Sequence, residues 1–392
     1  MRRTPLFTRD FVLVSIANLF QGMSFFLFIH LPRFLADMGA DEVMIGLLIG
    51  ITALASIGIR PIVGRAMDTR GRRPVILAGG TVNLVVTLAY MTISTIGPWL
   101  YLVRVIHGVA EAAMFTSLFT YGADVVPESR RTEGLAIFGV SGLLPIALGG
   151  LVGDVILLNW GFDLLFFAAA AFGLAALLIA LLLPERAPAT ADQPPRRGFF
   201  ASVALPDLRP IWWIVGMFSF VLTAYFTFLR TFIDETGVGT VGLFFAMYAG
   251  TAIVLRLFLG WLPDRIGQRR VLLPALVILA FGFFVLAGAS TATEVAIAGV
   301  LCGTGHGFAF PILFSMAVTR APVADRGSVV AFFTALFDIG TLIAGPILGF
   351  IITQRGYSTM FVVCGVLLIG ATAVYARWDS SYETAAQRRV AT

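Results

Sequence analysis

Apolar residues occur along this chain in runs of about 20, and charged residues, proline or glycine separate each run from the next. Each run predicts one transmembrane helix, because about 20 apolar residues cross the ~30 Å hydrocarbon core of a membrane. A proline-rich, charged stretch at 184–209 is too polar to span and divides the runs into two groups of six. The predicted helices cover 11–35, 43–66, 74–95, 99–125, 133–156 and 160–183, then 210–233, 240–262, 271–290, 294–318, 327–352 and 357–377.

The second run of each group leads into a related loop, GRAMDTRGRRP from Gly64 and GWLPDRIGQRR from Gly260. Five positions recur here at an offset of 196 residues: Arg60 and Arg256, Gly64 and Gly260, Asp68 and Asp264, Gly71 and Gly267, Arg73 and Arg269. Both copies have the same orientation, which predicts an all-α membrane protein of two six-helix bundles related by a pseudo-twofold axis. The predicted units are an N-terminal bundle at 1–183, a cytoplasmic linker at 184–209 and a C-terminal bundle at 210–392.

Composition supports a membrane protein and excludes several other classes. Hydrophobic residues make up 58% of the 392 residues and charged residues 12%, and mean hydropathy is +0.93. All 27 basic residues are arginines, and nearly all lie on one side of the predicted helices. The positive-inside rule therefore predicts cytoplasmic termini and a multi-pass protein of the bacterial cytoplasmic (inner) membrane. Arginines spread over membrane-flanking loops form no basic stripe, which argues against nucleic-acid binding. The two cysteines lie in apolar runs and indicate neither a disulfide framework nor a metal site.

The repeated GxxxDxxG loop resembles the signature loop of the major facilitator superfamily, and the resemblance extends over essentially the whole chain. It implies two bundles around a central cavity that opens to either side in turn, with the two loops forming a cytoplasmic gate. The predicted gate residues are Gly64, Asp68, Gly71, Arg72, Arg73, Gly260, Asp264, Arg265, Gly267 and Arg269.

The gate glycines and charges have a physical interpretation of their own. Gly64 and Gly260 would allow close helix approach, whereas Gly71 and Gly267 would permit tight turns. Alternatively, loop arginines such as Arg72 serve only the positive-inside topology. Thr69 departs from the family pattern, in which a basic residue follows the aspartate.

Ionisable residues at membrane depth are costly unless they are paired or hydrated, which makes them functional candidates. Arg104, His107 and Glu111 share one face of the fourth predicted helix, and RVIHGVAEAA around them resembles the arginine-containing motif of proton-coupled superfamily members. These three residues and Asp338 are the predicted proton-coupling and charge-relay set. At the 196-residue offset, the counterparts of the first three are Val300, Gly303 and Gly307.

Structural alternatives remain open for these residues. Arg104 and Glu111 could form a fixed ion pair that only holds the helix in place, and Asp338 could bond serine or threonine side chains of adjacent helices. His306 could be a hydrogen-bonded core residue. The predicted cavity residues are Asn18, Gln21, Phe25, Tyr225, Phe226, Arg230 and His306.

The sequence indicates a secondary active transporter that exports a small organic, amphiphilic compound in exchange for protons and functions as a monomer. A glycine- and proline-containing stretch, GVSGLLPIALGG, resembles the helix 5 motif of antiporters and favours export. The alternatives are a proton-coupled uptake symporter and a narrow-specificity exporter of a metabolite, siderophore or sugar. No catalytic or phosphate-binding motif is present in the sequence, which argues against an enzyme. The expected partners are the substrate, protons and the lipid bilayer; no cofactor or metal is expected, because the proton gradient supplies the energy.

Overall fold

The computed structural model describes residues 5–127, 131–185, 203–322 and 325–391. Its regular structure is helical in all of these ranges. Eleven helical stretches are long and apolar enough to cross a membrane. The last helix, Arg326–Ala391, is interrupted at Gly356, where φ is +79°. This break divides it into two spans and confirms the prediction of twelve transmembrane helices.

We number the spans α1 to α12. Span α1 is the helix Arg9–Phe26, continued by a 3-10 turn at Leu27–His30 and a short helix at Leu31–Asp37. The next five are α2 (Glu42–Arg70), α3 (Arg72–Ala89), α4 (Pro98–Val125), α5 (Arg131–Asn159) and α6 (Gly161–Ala180). The second half contains α7 (Arg209–Thr236), α8 (Val241–Leu259), α9 (Gln268–Gly288) and α10 (Ala292–Arg320), then α11 and α12 before and after Gly356.

Several helices continue past the apolar runs that predict them. Span α2 ends at Arg70 rather than 66, and α12 continues to Ala391 rather than 377. The apolar run marks only the part of a helix in hydrocarbon, and good helix formers such as alanine, glutamate, glutamine and arginine extend α12 beyond it. Residues 186–202 of the predicted linker lie outside the described residues, so the predicted unit boundaries stay a prediction.

An even number of spans puts the start of α1 and the end of α12 at one face, which we call the terminal face. The other face, where α2, α8 and α10 begin, is the opposite face. Side chains cap these three helix starts: Asp41 accepts from Met44 N at 2.8 Å, Thr240 accepts from Leu243 N at 3.0 Å, and Thr291 forms a capping box with Glu294. At the terminal face, Gly71 (φ +90°) and Gly267 (φ +104°) make the predicted tight turns.

Two glycine-rich helix contacts join the halves. A Cβ added to Gly46 of α2 would lie 2.2 Å from the Gly345 carbonyl oxygen of α11, and one added to Gly150 of α5 would lie 3.2 Å from the Gly242 Cα of α8. The backbones approach this closely because glycine has no side chain. The pairs α2–α11 and α5–α8 are therefore equivalent interfaces in the repeat.

The contacts also correct the register of the repeat in α4 and α10. A Cβ on Gly108 would lie 2.2 Å from the Thr52 carbonyl oxygen, and one on Gly303 would lie 2.2 Å from the Tyr248 carbonyl oxygen. Thr52 and Tyr248 differ by 196 positions, whereas Gly108 and Gly303 differ by 195. The second half therefore has one residue fewer between its two contact positions than the first half has. The counterparts of Arg104, His107 and Glu111 are therefore Gly299, Cys302 and His306.

Candidate transport site and gates

An ion pair at mid-depth joins the two halves. Arg60 of α2 donates from Nη2 and Nε to Asp338 Oδ2 of α11, at 2.7 Å and 2.9 Å. Each side chain is 19% exposed, and Arg60 Nη1 also donates to Thr116 Oγ1 of α4 at 3.4 Å. A rise of about 1.5 Å per residue places both members roughly 15 to 18 Å from the terminal ends of their helices. Both residues lie inside their apolar runs, 43–66 and 327–352, so the pair lies within the membrane, at a level that we call mid-depth.

Glu111 of α4 lies close enough to this pair to interact electrostatically with both Asp338 and Arg60. Its carboxyl has no hydrogen bond or ion pair in the described part of the chain, and the residue is partly buried. Gly108, one turn earlier on α4, packs against the α2 backbone at Thr52 and so brings the two helices together. The mid-depth site consequently contains the carboxyl groups of Glu111 and Asp338 and the guanidinium of Arg60, and Glu111 also interacts electrostatically with Arg104.

The other two members of the predicted relay face the interior of the N-terminal half. Arg104 is 4% exposed and His107 is 2% exposed. Arg104 donates from Nε to the Leu48 carbonyl at 2.9 Å and from Nη1 to the Tyr90 hydroxyl at 3.0 Å. The same hydroxyl lies 3.0 Å from His107 Nδ1. Arg104 therefore binds α2 and the 3-10 turn Tyr90–Thr92 after α3, rather than forming the alternative ion pair with Glu111.

A second polar cluster occupies the equivalent region of the C-terminal half. The Tyr248 hydroxyl hydrogen-bonds to His306 Nδ1, and the Tyr225 hydroxyl lies 3.4 Å from that of Tyr248. Arg256, the repeat partner of Arg60, has its Nε 3.5 Å from the Gly307 carbonyl. Tyr225 is fully buried among aromatic rings, so it does not line a cavity in this conformation.

The remaining predicted cavity residues have varied positions. Asn18 Nδ2 donates to Ser141 Oγ of α5 at 2.9 Å. Gln21 is buried, and its Oε1 has no partner among the described residues. Phe25 and Phe226 are partly buried, with Phe25 against Phe26 and Phe226 stacked on Phe245. Their substrate contacts stay predictions.

Arg230 lies at the opposite face, between the halves, rather than in a central cavity. Its Nη1 is 3.3 Å from Asp154 Oδ1 of α5 and 3.3 Å from His30 Nδ1 of α1, and its Nε donates to Asp234 at 2.9 Å. Asp234 also pairs with Arg33 at 3.3 Å. We call Arg230, Asp154, His30, Asp234 and Arg33 the opposite-face cluster.

Further hydrogen bonds join the two halves near the opposite-face cluster. Glu42 at the start of α2 accepts from Thr231 of α7 at 3.4 Å and from the Tyr357 hydroxyl of α12. Asp154 also accepts from the Gly242 backbone N–H at 2.6 Å. Sequence reasoning missed Asp154 and Glu42, although an acidic residue within or at the edge of an apolar run was the available signal. It also treated Arg60 only as a marker of the repeat.

The described contacts of the predicted gate residues at the terminal face stay within one half. Arg72 donates to Asp124 Oδ2 at 3.1 Å, and Arg73 donates to the Leu181 carbonyl at 3.0 Å. In the second half, Arg269 donates to the Ala376 carbonyl, and Arg265 lies over the Trp261 ring at 5.5 Å. Asp264 is exposed, and the Asp68 side chain lies outside the described residues.

The predicted close helix approach at Gly64 and Gly260 does not occur in this conformation. A Cβ on Gly64 would have no atom within 4 Å, and one on Gly260 would meet the Arg256 carbonyl just before it in the chain. The close contacts between the halves instead lie nearer the opposite face, for example at Gly46. The described polar contacts that join the halves lie at the opposite face or at mid-depth, so this conformation is closed at the opposite face.

Comparison with known proteins identifies the family. The family model of the Major Facilitator Superfamily matches residues 11–240 and 234–391. The chain belongs to the Major Facilitator Superfamily. This superfamily transporter is 24% identical over 352 residues to the staphylopine export protein of Staphylococcus aureus, covering 85% of this chain and 86% of the relative. It is 25% identical over 363 residues to the uncharacterized MFS-type transporter YhhS of Escherichia coli, covering 89% and 86%.

Solved structures of the superfamily share the fold of this transporter. A bacterial homolog of the human lysosomal transporter Spinster, in an inward-facing and unoccupied conformation, has a TM-score of 0.79 at 15% identity and covers 97% of this chain and 98% of its own. The human organic anion transporter MFSD10 has a TM-score of 0.75 at 17% identity, covering 95% and 100%. The family match and the MFS-type relatives show that the protein is a membrane transporter rather than an enzyme, as its sequence predicts.

Proposed function

We propose that this transporter exports a small organic, amphiphilic compound in exchange for protons. The observation that carries the proposal is the Arg60–Asp338 ion pair with Glu111 beside it. The pair joins the two halves at mid-depth, where an alternating-access transporter must couple the binding of its substrate to the movement of one half against the other.

The charges of this site support proton coupling. Arg60 can pair with only one of the two carboxylates at a time, and an unpaired charge at this depth is costly. A proton on Asp338 would release Arg60 from α11 and leave it to pair with Glu111 on its own half. A proton on Glu111 would favour the Arg60–Asp338 pair between the halves. Proton exchange at the two acids is thereby linked to the contact between α2 and α11.

Arg104 and His107 have a supporting role in this proposal. Arg104 fixes α4 against α2 through the Leu48 carbonyl, which positions Glu111 on the same helix beside Arg60. His107 and Tyr90 complete the hydrogen bonding around the buried guanidinium. They are positioning residues, whereas Glu111 and Asp338 are the groups that exchange protons.

Two observations favour export over uptake. Pro145, in the sequence stretch that resembles the antiporter motif, packs against Gly22 of α1, where an added Cβ would lie 2.6 Å from its Cγ. A relative that is 24% identical over 85% of this chain is named for the export of staphylopine. In this direction, the substrate would enter from the cytoplasm, and the opposite-face cluster would separate to release it outside.

The test is transport by the purified protein in proteoliposomes with an imposed pH gradient, screened across lipophilic cations, sugars and siderophore-like acids. A proton antiporter accumulates its substrate in the more acidic compartment, whereas a symporter accumulates it in the more alkaline one. One pH unit supplies about 1.4 kcal/mol per proton. We expect accumulation on the acidic side.

Glu111→Gln and Asp338→Asn should each reduce gradient-driven accumulation at least about tenfold, because neither amide releases a proton. Substrate exchange without a gradient should persist. Glu294→Gln is the matched control, since glutamine preserves the exposed capping box at the start of α10. Wild-type accumulation in both variants, or accumulation on the alkaline side by the wild type, would contradict the proposal.

A further inference from the structure

Arg256 and Arg60 occupy equivalent positions in the two halves but have different surroundings. Arg60 is paired with Asp338 and lies close to Glu111. Arg256 is partly buried at the same depth of α8, and the described polar contact of its side chain is with the Gly307 carbonyl at 3.5 Å. No carboxylate lies within ion-pair distance of Arg256 in the described part of the chain.

The repeat explains why no carboxylate of the described residues lies beside Arg256. Glu111 corresponds to His306 in the register set by the contacts of α4 and α10. Gly150 of α5 and Gly345 of α11 make the equivalent contacts with Gly242 and Gly46, and they differ by 195 positions. At this offset Asp338 corresponds to Leu143, and at an offset of 196 it corresponds to Gly142. Neither position carries a charge. Arg60 thus has two acids around it, one from each half, whereas the equivalent positions around Arg256 carry a histidine and an uncharged residue.

Open space adjoins Arg256 where α5 of the other half passes it. A Cβ added to Gly139 would have Arg256 Nη1 at 3.9 Å as its nearest neighbour, with no other atom within 4 Å. A Cβ on Gly142, one turn further along, would meet only Asn18 Nδ2, at 3.8 Å. The guanidinium therefore faces a gap between the halves that is bordered by two glycines and an amide nitrogen.

We propose that Arg256 binds a carboxylate of the transported compound in this gap, in the role that Asp338 has at Arg60. The inference rests on the proposed transport function and assigns its substrate to the small organic acids. A guanidinium binds a carboxylate through two parallel hydrogen bonds. An arginine at membrane depth is costly without a partner, so an anionic substrate supplies the negative charge that is missing beside Arg256.

Binding to the full-length protein in detergent tests this site without any proton gradient. The probes are octanoate, 3-phenylpropanoate and tricarballylate, each compared with its uncharged amide, and the measurements are thermal shift and Kd. At least one acid should bind about tenfold or more tightly than its amide, the ratio expected for a charge-assisted contact. Equal binding of every acid and its amide would overturn the inference.

Two substitutions, each with a control variant, test whether the preference for the acid depends on Arg256. Arg256→Gln should abolish the preference for the acid, and Arg270→Gln, an exposed arginine at the terminal face, should leave it unchanged. Gly139→Asp would provide an internal carboxylate beside Arg256 and should also abolish the preference, whereas Gly139→Asn should keep it. The Gly139 pair decides the question if Arg256→Gln does not fold. Acid preference that survives Gly139→Asp or a folded Arg256→Gln would overturn the inference.

These outcomes are separable from those of the transport test. A protein that prefers acids but shows no gradient-driven accumulation would support the carboxylate site and contradict proton coupling. A protein that accumulates substrate across a pH gradient but does not distinguish acids from amides would support coupling and overturn the site at Arg256.

Discussion

The Tyr90 hydroxyl lies between the two buried polar side chains of α4, Arg104 and His107. It accepts a hydrogen bond from Arg104 Nη1 at 3.0 Å and lies 3.0 Å from His107 Nδ1. All three residues are buried. A single hydroxyl therefore satisfies polar groups that water cannot reach, and such groups are expensive to leave unpaired.

Tyr90→Phe should consequently destabilise the protein by about 1 to 3 kcal/mol, because Arg104 and His107 each lose a partner inside the N-terminal half. Thermal unfolding in detergent measures this cost. Tyr101→Phe is the matched control, since the described hydrogen bond of that hydroxyl is to the Met44 sulfur, at 3.4 Å. Unchanged stability of Tyr90→Phe with complete loss of proton coupling would contradict a positioning role and favour the relay predicted for His107.

At the residue scale, sequence reasoning identified which residues are unusual but not what each one contacts. Arg104, His107 and Glu111 share a helical face by spacing, yet in the structure Arg104 and His107 bind Tyr90, whereas Glu111 interacts electrostatically with Asp338 and Arg60 as well as with Arg104. A side chain can extend along or across its helix, so spacing fixes a face but not a partner.

At the scale of helices, similar glycine contacts serve two different purposes. Gly108 joins α4 to α2 within the N-terminal half, and Gly46 joins α2 to α11 between the halves. An added Cβ would lie 2.2 Å from a backbone carbonyl oxygen at either position. Substitution therefore forces backbones apart in both cases, but only the contact between halves belongs to an interface that alternating access must open.

Gly108→Val and Gly46→Val should have different consequences. Gly108→Val should reduce the yield of folded protein, because α4 and α2 belong to the same bundle and a change of conformation between the halves would not relieve the overpacking. Gly46→Val should leave a folded protein whose opposite face opens more often. A Leu342→Cys reporter, at a residue packed against Gly50 across the same interface, should then react faster with a maleimide. Equal effects on folding and on reactivity would contradict the distinction.

At the scale of the whole molecule, the opposite-face cluster holds the two halves together on one side. Arg230 links α7 to α5 through Asp154 and to α1 through His30. Several partly buried charge pairs in one network resist separation more than isolated surface pairs do. The described polar contacts between the halves lie at this face and at mid-depth, as expected of an end state that is closed on this side.

Arg230→Ala should shift the population towards conformations that are open at the opposite face. The distance between spin labels at Ser94→Cys, in the turn before α4, and Ala292→Cys, at the start of α10, should gain a longer component. Arg355→Gln is the control, because Arg355 is exposed at the same face. An identical distance distribution in Arg230→Ala and wild type would show that the cluster does not hold this face closed.

The sequence by itself determined twelve spans, a parallel repeat and the turns at Gly71 and Gly267, because helix length, loop charge and backbone conformation are local properties. Only the tertiary structure decided that Arg60 pairs with Asp338, 278 residues away, and that Arg256 has no such partner among the described residues. It also decided that Arg230 closes one face and that Glu111 corresponds to His306. These contacts depend on which helix faces meet in this conformation, and hydrophobic periodicity in a lipid-facing chain does not specify that.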